Sequence, residues 1–369
     1  VELVLKKGVT DLMGEVVGQG LCTVCGACVG TCPYLKVYRE RIVMIDQCGV
    51  KEGQCYDICP RTRTDYEALN RRIFGGGRDD YILGTHRAMV NGRAADAQVR
   101  AAGQYGGTVS ALARFALSRG LADAAILAGR NVKFPLLPEP MIATRPEQVA
   151  LAAGSKYTAC PNLSLLDKAL KVYRAPLVVG RGCQVVAARK KQAVNAEAER
   201  APLIIGLFCM WSLNYRELER FLSDRIDVTQ VRKFDVPEGE FVAVLNGGER
   251  RNFPFEEVKR RRLSTCDLCY DFTSELADIS VGSTELENDW NTVIVRTERG
   301  ERFWRDACDE RVVEEKPFRD DRREILRKAA AGKKGRAINL LKARFGGKDK
   351  DAPLGYLKLG DKEITGVSQ

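Results

Sequence analysis

Apolar residues along "GQYGGTVSALARFALSRGLADAAILAGR" (103–130) first follow a helical period and then run together. Val109, Leu112, Ala113, Ala116 and Leu117 recur at three- and four-residue intervals, which predicts a helix opened by a glycine-rich turn. The run at 124–129 predicts a strand, and the Pro-rich "FPLLPEPMIATRPE" (134–147) an extended connection. A second unit follows. "APLVVGRGCQVVAARKKQAV" (175–194) reads as a strand, a glycine turn and a helix, and "APLIIGLFCMW" (201–211) as another buried strand ending in a cysteine. Together they predict a βαβ crossover, and so a partly parallel sheet with a helix on its face. "FVAVLNGGERRNF" (241–253) has strand–turn–strand character, and "NTVIVRTERGERFWR" (291–305) reads as a second hairpin around Arg299-Gly300. The expected body is α/β, mixed with antiparallel additions.

Its 369 residues allow two or three domains. No stretch reaches 18 uncharged apolar residues, so no membrane span is expected. The N-terminus lacks the apolar core and cleavage site of a signal peptide, which makes the cytoplasm the expected location. The net charge of +10 is uneven. Between Lys316 and Lys350 stand 13 Lys/Arg against four Asp/Glu, which reads either as a solvated helix or tail or as a docking segment for an acidic partner subunit. No aromatic platform accompanies the charge, so nucleic acid is not an expected partner.

Cysteine changes the picture most. There are thirteen, and seven fall within residues 22–59. An odd number in a reducing compartment argues against a disulfide framework, and a single histidine, His86, favours iron–sulfur ligation over most zinc sites. "CTVCGACVGTCP" places Cys22, Cys25, Cys28 and Cys32 at the spacing of two-cluster ferredoxins, where the fourth cysteine ligates the other cluster. A later run, "DQCGVKEGQCYDICPR", has Cys48, Cys55 and Cys59. By the crossed rule Cys59 completes the first site with Cys22, Cys25 and Cys28, leaving Cys32, Cys48 and Cys55 for the second. The missing fourth thiol falls at Glu52. The second site is therefore open to a three-iron cluster, to a four-iron cluster with Glu52 or Asp46 as oxygen ligand, or to loss of the metal.

Cys183 lies after a strand, Cys209 at a strand's end, and Cys266 and Cys269 in "STCDLCYDF". A βαβ unit brings the first two to the same sheet edge, where the Cys-x-x-Cys loop is able to complete a four-thiolate site. Buried structural thiols, or a small zinc site for the pair, are the simpler readings of these residues. Cys160 and Cys308 match no ligand position.

Over about residues 80–312, "GQYGGTVSALARFAL", "AAGSKYTAC", "VVGRGCQ", "IIGLFC", "CDLCYDFTSELADISVGS" and "WNTVIVRT" occur in an order that resembles the beta subunits of coenzyme F420-reducing hydrogenases and related dehydrogenases. The resemblance implies an FAD-binding subunit with its own [4Fe-4S] cluster on Cys183, Cys209, Cys266 and Cys269. It also implies flavin contacts at Gly106, Gly107, Thr108, Gly154, Ser155, Lys156 and Tyr157. The turn before the helix suits a pyrophosphate, although "GQYGG" taken alone reads first as an ordinary tight turn before a helix. The implied organisation is a two-cluster ferredoxin-like module (1–74), an FAD-binding part (75–155), a part carrying the third cluster (156–315) and a basic segment (316–369). Expected cofactors are FAD and two or three [4Fe-4S] clusters, one of them open to being [3Fe-4S]. The implied function couples hydride exchange, with coenzyme F420 or a similar carrier, to one-electron transfer. The receiving partner is expected to be a hydrogenase, formate dehydrogenase or heterodisulfide-reductase-type subunit. A stand-alone reductase of an organic substrate and a non-catalytic relay are the alternatives.

Overall fold

In a computed structural model that describes residues 7–200, 203–237, 239–284 and 289–345, the cysteine-dense segment carries one hairpin, β1 (Leu35–Tyr38) and β2 (Arg41–Met44). Along the body follow β3 (Ala88–Ala94), β4 (Ala124–Gly129), β5 (Glu139–Ala143), β6 (Pro176–Arg181), β7 (Ile204–Leu207), β8 (Val231–Asp235), β9 (Glu240–Leu245), β10 (Arg250–Pro254), β11 (Ile279–Gly282), β12 (Asn291–Val295) and β13 (Val313–Pro317). Strands β8, β9 and β10 make a small antiparallel sheet, with the predicted Asn-Gly-Gly turn joining β9 to β10. The other eight form one mixed sheet in the order β13-β3-β12-β11-β7-β6-β4-β5. Its centre, β11-β7-β6-β4, is parallel, and antiparallel strands flank it on both sides.

The strand period of two explains why this sheet has two cores. Ala125, Leu127, Val179 and Ile205 face one side, under the Thr108–Ser118 and Glu298–Asp309 helices. Ile126, Val178 and Ile204 face the other, with Val185 and Val186 of the Gly182–Val194 helix. The expected crossover is present: β6, that helix and the parallel β7.

The second hairpin is not. After β12 the chain forms the Glu298–Asp309 helix instead. Thr297 caps it by accepting from the Gly300 amide at 3.0 Å, and Gly300, Phe303, Trp304 and Ala307 face inward at helical spacing. Capping chemistry and a 3.6-residue period prevail over the Arg-Gly turn signal. Within the Pro-rich connection, Glu139–Ala143 forms edge strand β5, where a proline is tolerated.

Two charged segments also differ from a solvated reading. The "ARKKQ" stretch of the Gly182–Val194 helix is buried. There Arg189 pairs with Asp278 at 3.0 Å and Lys191 with Asp167 at 2.6 Å. The described part of the basic segment runs from the end of β13 into the Asp320–Phe345 helix, which buries Leu326, Ala330, Ala337, Ile338 and Leu341 together with Lys333 and Lys334. Residues 346–369 lie outside the described residues. Ion-paired Glu275 links Lys334 to Arg78 in the interior.

The cysteine-dense segment packs directly on the body. Its core includes Ala159, Leu268 and Leu341, and Gly26 (φ +89°) touches the 161–164 turn so closely that a Cβ there would stand 2.4 Å from Pro161 O. The Tyr66–Phe74 helix joins the second sheet core through Leu69, Ile73 and Phe74 and ends at left-handed Gly75. Gly75, the first of three consecutive glycines (75–77), thus terminates that helix.

Candidate cofactor cavity and thiol sites

At the carboxyl ends of the central parallel strands the body encloses a cavity of about 470 Å³, where open α/β sheets bind their ligands. Leu127 of β4, Arg181 of β6, Leu207 of β7 and Gly282 of β11 all contribute to its wall. Six of the seven expected flavin contacts line it: Gly107, Thr108, Gly154, Ser155, Lys156 and Tyr157. Gly106 is not among the lining residues. It packs against β3 and β12, where a Cβ would come within 2.8 Å of Gly92 O and 2.9 Å of Asn291 Oδ1.

Gly107 precedes the Thr108–Ser118 helix at φ +67°, and no side chain caps that helix. Its first-turn amides have no intrahelical acceptor. The Thr108 amide donates to Asn291 Oδ1 at 3.2 Å and its hydroxyl to Gly92 O at 2.9 Å. Val109 and Ser110 of the same turn also line the cavity. Lys156 is held by backbone carbonyls. Its ammonium donates to Ala152 O, Ala153 O and Gly154 O at 2.7, 2.8 and 3.0 Å, and burial lowers its pKa to about 8.

Sequence reasoning overlooked Arg181 and Asn162 in this wall. Arg181 Nη1 donates to Ser212 Oγ, while its Nη2 and the Oδ1 of Asn162 are buried with no protein partner among the described residues. Buried polar atoms of this kind call for a polar ligand or water. Phe208, Trp211 and Phe272 supply an apolar face. A cradle of helix amides, orphaned polar atoms and aromatic walls fits a phosphate-bearing aromatic cofactor.

Cys209 lines this cavity too, and it opens a chain of thiols. It lies within electrostatic reach of Cys183 and Cys266, and Cys266 in turn of Cys269. Burial raises the Cys209 thiol to about 12. Cys22 and Cys25 feel both Cys59 and Cys183, and Cys28 feels Cys25, Cys59 and Cys22. Burial pushes Cys22 up to about 12, with the neighbouring thiols adding to the rise. Cys59 therefore stands with the distant 22–28 run, while Cys55, raised to about 11 chiefly by desolvation, has Cys32 and Cys48 beside it.

Thiols held neutral by burial become ligands only when iron supplies the compensating charge. Among the described residues no three His, Cys, Asp or Glu side chains converge on a single ion. Ligands of a polynuclear cluster surround a whole body of iron and sulfide, so such convergence is not required of them. The donor chemistry, two sets of four thiols and one of three, fits iron–sulfur clusters. Glu52 and Asp46 are both exposed in the loop around Cys48.

Buried cations accompany these thiols. Lys190 donates to Cys59 O at 2.7 Å, and Lys333 to Asp271 O at 2.8 Å and also to Cys209 O. Cys160 lines the cavity wall, raised to about 12 by burial. Cys308 packs against the sheet core, and His86 Nδ1 sits 2.9 Å from Gly84 O.

Residues 89–167 match the N-terminal region, and residues 173–321 the C-terminal region, of the coenzyme F420 hydrogenase/dehydrogenase beta subunit. Coenzyme F420 hydrogenase subunit beta of Methanothermobacter thermautotrophicus is 32% identical over 71% of this chain and 96% of its own. A component of the F(420)H(2) dehydrogenase of Methanosarcina mazei is 29% identical over 83% of this chain and 87% of its own. The coenzyme F420-dependent sulfite reductase of Methanocaldococcus jannaschii is 31% identical over 78% of this chain but 46% of its own. Among solved structures, a chain of the F420-reducing [NiFe] hydrogenase complex from Methanosarcina barkeri matches with a TM-score of 0.69 and 28% identity, covering 74% of this chain and 97% of that one. Fold and relatives together define an oxidoreductase. More particularly, the chain belongs to the family of coenzyme F420 hydrogenase/dehydrogenase beta subunits.

Proposed function

We propose that this chain is an FAD- and iron–sulfur-dependent subunit that converts hydride chemistry with coenzyme F420 into one-electron flow to a partner oxidoreductase. The observation that carries the reading is the position of Cys209, which belongs to the cavity wall and to the third thiol set at once. Flavin in the cavity would exchange two electrons as a hydride, and clusters on the thiols would pass them on singly.

The chain's own residues have separate tasks in this scheme. First-turn amides at Val109 and Ser110 and the free Arg181 nitrogen bind and orient the cofactor. Phe208, Trp211 and Phe272 exclude water from it. Cys183, adjacent to Cys22 and Cys25, leads onward to the first site, and Cys28, with Cys55 among its neighbours, to the second. That order is cavity, third site, first site, second site. The second site keeps three thiolates, with Glu52 or Asp46 as its oxygen donor. Exposed basic residues of the Asp320–Phe345 helix, including Lys328, Arg336 and Lys342, would dock the partner subunit. The likeness to hydrogenase, dehydrogenase and sulfite reductase sequences supports one module serving different partners.

Anaerobic reconstitution tests the reading. The protein is expected to bind FAD and roughly eight or more irons per chain, and to reduce or oxidise coenzyme F420 with a one-electron dye as co-substrate. Protein with neither flavin absorbance nor iron overturns it. Flavin and iron with activity only toward other organic substrates replaces F420 as the carrier.

A further inference from the structure

Arg61, Lys190 and Lys333 are each less than a tenth exposed, and binding the cofactor in the cavity uses none of them. Arg61 follows Cys59 by two residues, and its amide donates to Cys59 Sγ at 3.4 Å. Its guanidinium reaches across to the body, donating to Thr265 O at 2.7 Å and Leu268 O at 3.2 Å. Those two carbonyls immediately precede Cys266 and Cys269. Thr265 completes the tie by donating its hydroxyl to Leu21 O, at 2.6 Å, beside Cys22. The charge of Arg61 also acts on Cys22 and Cys59. One buried cation thus clamps the loop of the third thiol set to the segment of the first.

The other two cations are local. Lys190 donates to Cys59 O, Thr62 Oγ1 and Arg63 O at 2.7, 2.9 and 3.0 Å. Lys333 donates to carbonyls at Cys209 and Asp271 and bears on Cys269, Cys209 and Cys266. The side-chain groups that bear on Cys55 are instead two thiols, Cys32 and Cys48.

A thiolate-ligated cluster gains negative charge on reduction, so a fixed cation beside it favours the reduced form, and net charge and second-shell contacts set the potential. Low local polarizability strengthens that effect. We infer that Arg61 is a positioning residue shared by the first and third sites, holding them together and setting the reduction potential of both, while Lys190 tunes the first site alone and Lys333 the third alone. This rests on the iron–sulfur reading above.

The test is an EPR-monitored redox titration of the reconstituted full-length protein, with Cys59→Ser and Cys266→Ser assigning the signals. Arg61→Gln is expected to move both midpoints to more negative values. Lys190→Met moves only the first and Lys333→Met only the third, and the second-site signal stays in place throughout. Arg61→Lys, which keeps the charge, restores most of the Arg61→Gln shift. Iron-loaded Arg61→Gln protein with either midpoint unmoved overturns the inference. Should that variant fail to load, the lysine variants still decide: a shift of both sites, or of neither, overturns it. Wild-type protein that takes up no iron overturns the iron–sulfur reading and this inference together.

Discussion

The two thiol sites of the N-terminal segment come from near-copies of one motif, yet they occupy opposite environments. Around the first, residues 23–28 are buried, Gly26 is pressed against Pro161, and Arg61 and Lys190 stand beside Cys59. Around the second, residues 44–47 and 49–52 are exposed on both sides of half-buried Cys48. The set of four thiols lies among buried segments, whereas the set of three, with Cys32 and Cys55 buried, borders an exposed loop at Cys48. An interior cluster must have every ligand supplied by the chain, because little else reaches it. A cluster open to water on one side tolerates a carboxylate or solvent oxygen as its fourth donor.

The largest break in this comparison is expected from Cys59→Ser. Cys59 lies in the second motif but stands with the first set, so the variant should lose the signal of the first site and spare the second. Cys55→Ser should do the reverse, and EPR with iron analysis reads both. Cys59→Ser protein with the first signal intact removes the crossed assignment. Glu52→Cys sharpens the same contrast by converting the second site to four thiolates, seen as a cubane signal replacing a three-iron or mixed-ligand one.

Next in size is the fit of the first site against the body. Gly26→Ala adds a methyl group at a positive φ, 2.4 Å from a backbone oxygen. The expected loss is on the order of 3 kcal/mol in chemical denaturation, whereas Gly49→Ala, with open space around it, should change stability by less than about 1 kcal/mol.

The smallest effect concerns the tip of the β1–β2 hairpin. Glu40 accepts from the Tyr215 amide at 2.5 Å, at the start of the Tyr215–Leu222 helix, and desolvation raises its pKa to about 7. A carboxyl with a raised native pKa holds more protons folded than unfolded, so its contribution to stability falls as pH rises from its ordinary value toward 7. Denaturation midpoints of wild type and Glu40→Gln compared from pH 4.5 to 7.5 should converge at the acid end. Wild type should fall modestly below the variant as pH rises, and parallel curves would show that Glu40 has no such role.

Much of this was legible from the chain alone. The helix at 108–118, the strand at 124–129 and the β6–helix–β7 crossover follow from local periodicity, which neighbouring residues impose on each other through the backbone. The spacing of the two N-terminal cysteine runs likewise suggests a crossed grouping, in which the last thiol of each run goes with the other run. The 298–309 segment misled because a turn dipeptide and a helix start look alike until a cap and an apolar face are counted together.

Tertiary structure alone decided what lies at a distance in sequence. That Arg189, Lys190, Lys191, Lys333 and Lys334 are interior depends on carbonyls and carboxylates contributed from segments far along the chain, and a basic run carries no mark of them. That Cys209 faces both the cavity and the third thiol set, and that Arg61 ties that set to the first, depends on where the sheet edge meets the N-terminal segment. Spacing marked the N-terminal thiols as candidate cluster ligands. Long-range packing decided which thiols neighbour one another and which cations stand beside them, because burial and charge around them arise only when distant segments exclude water together.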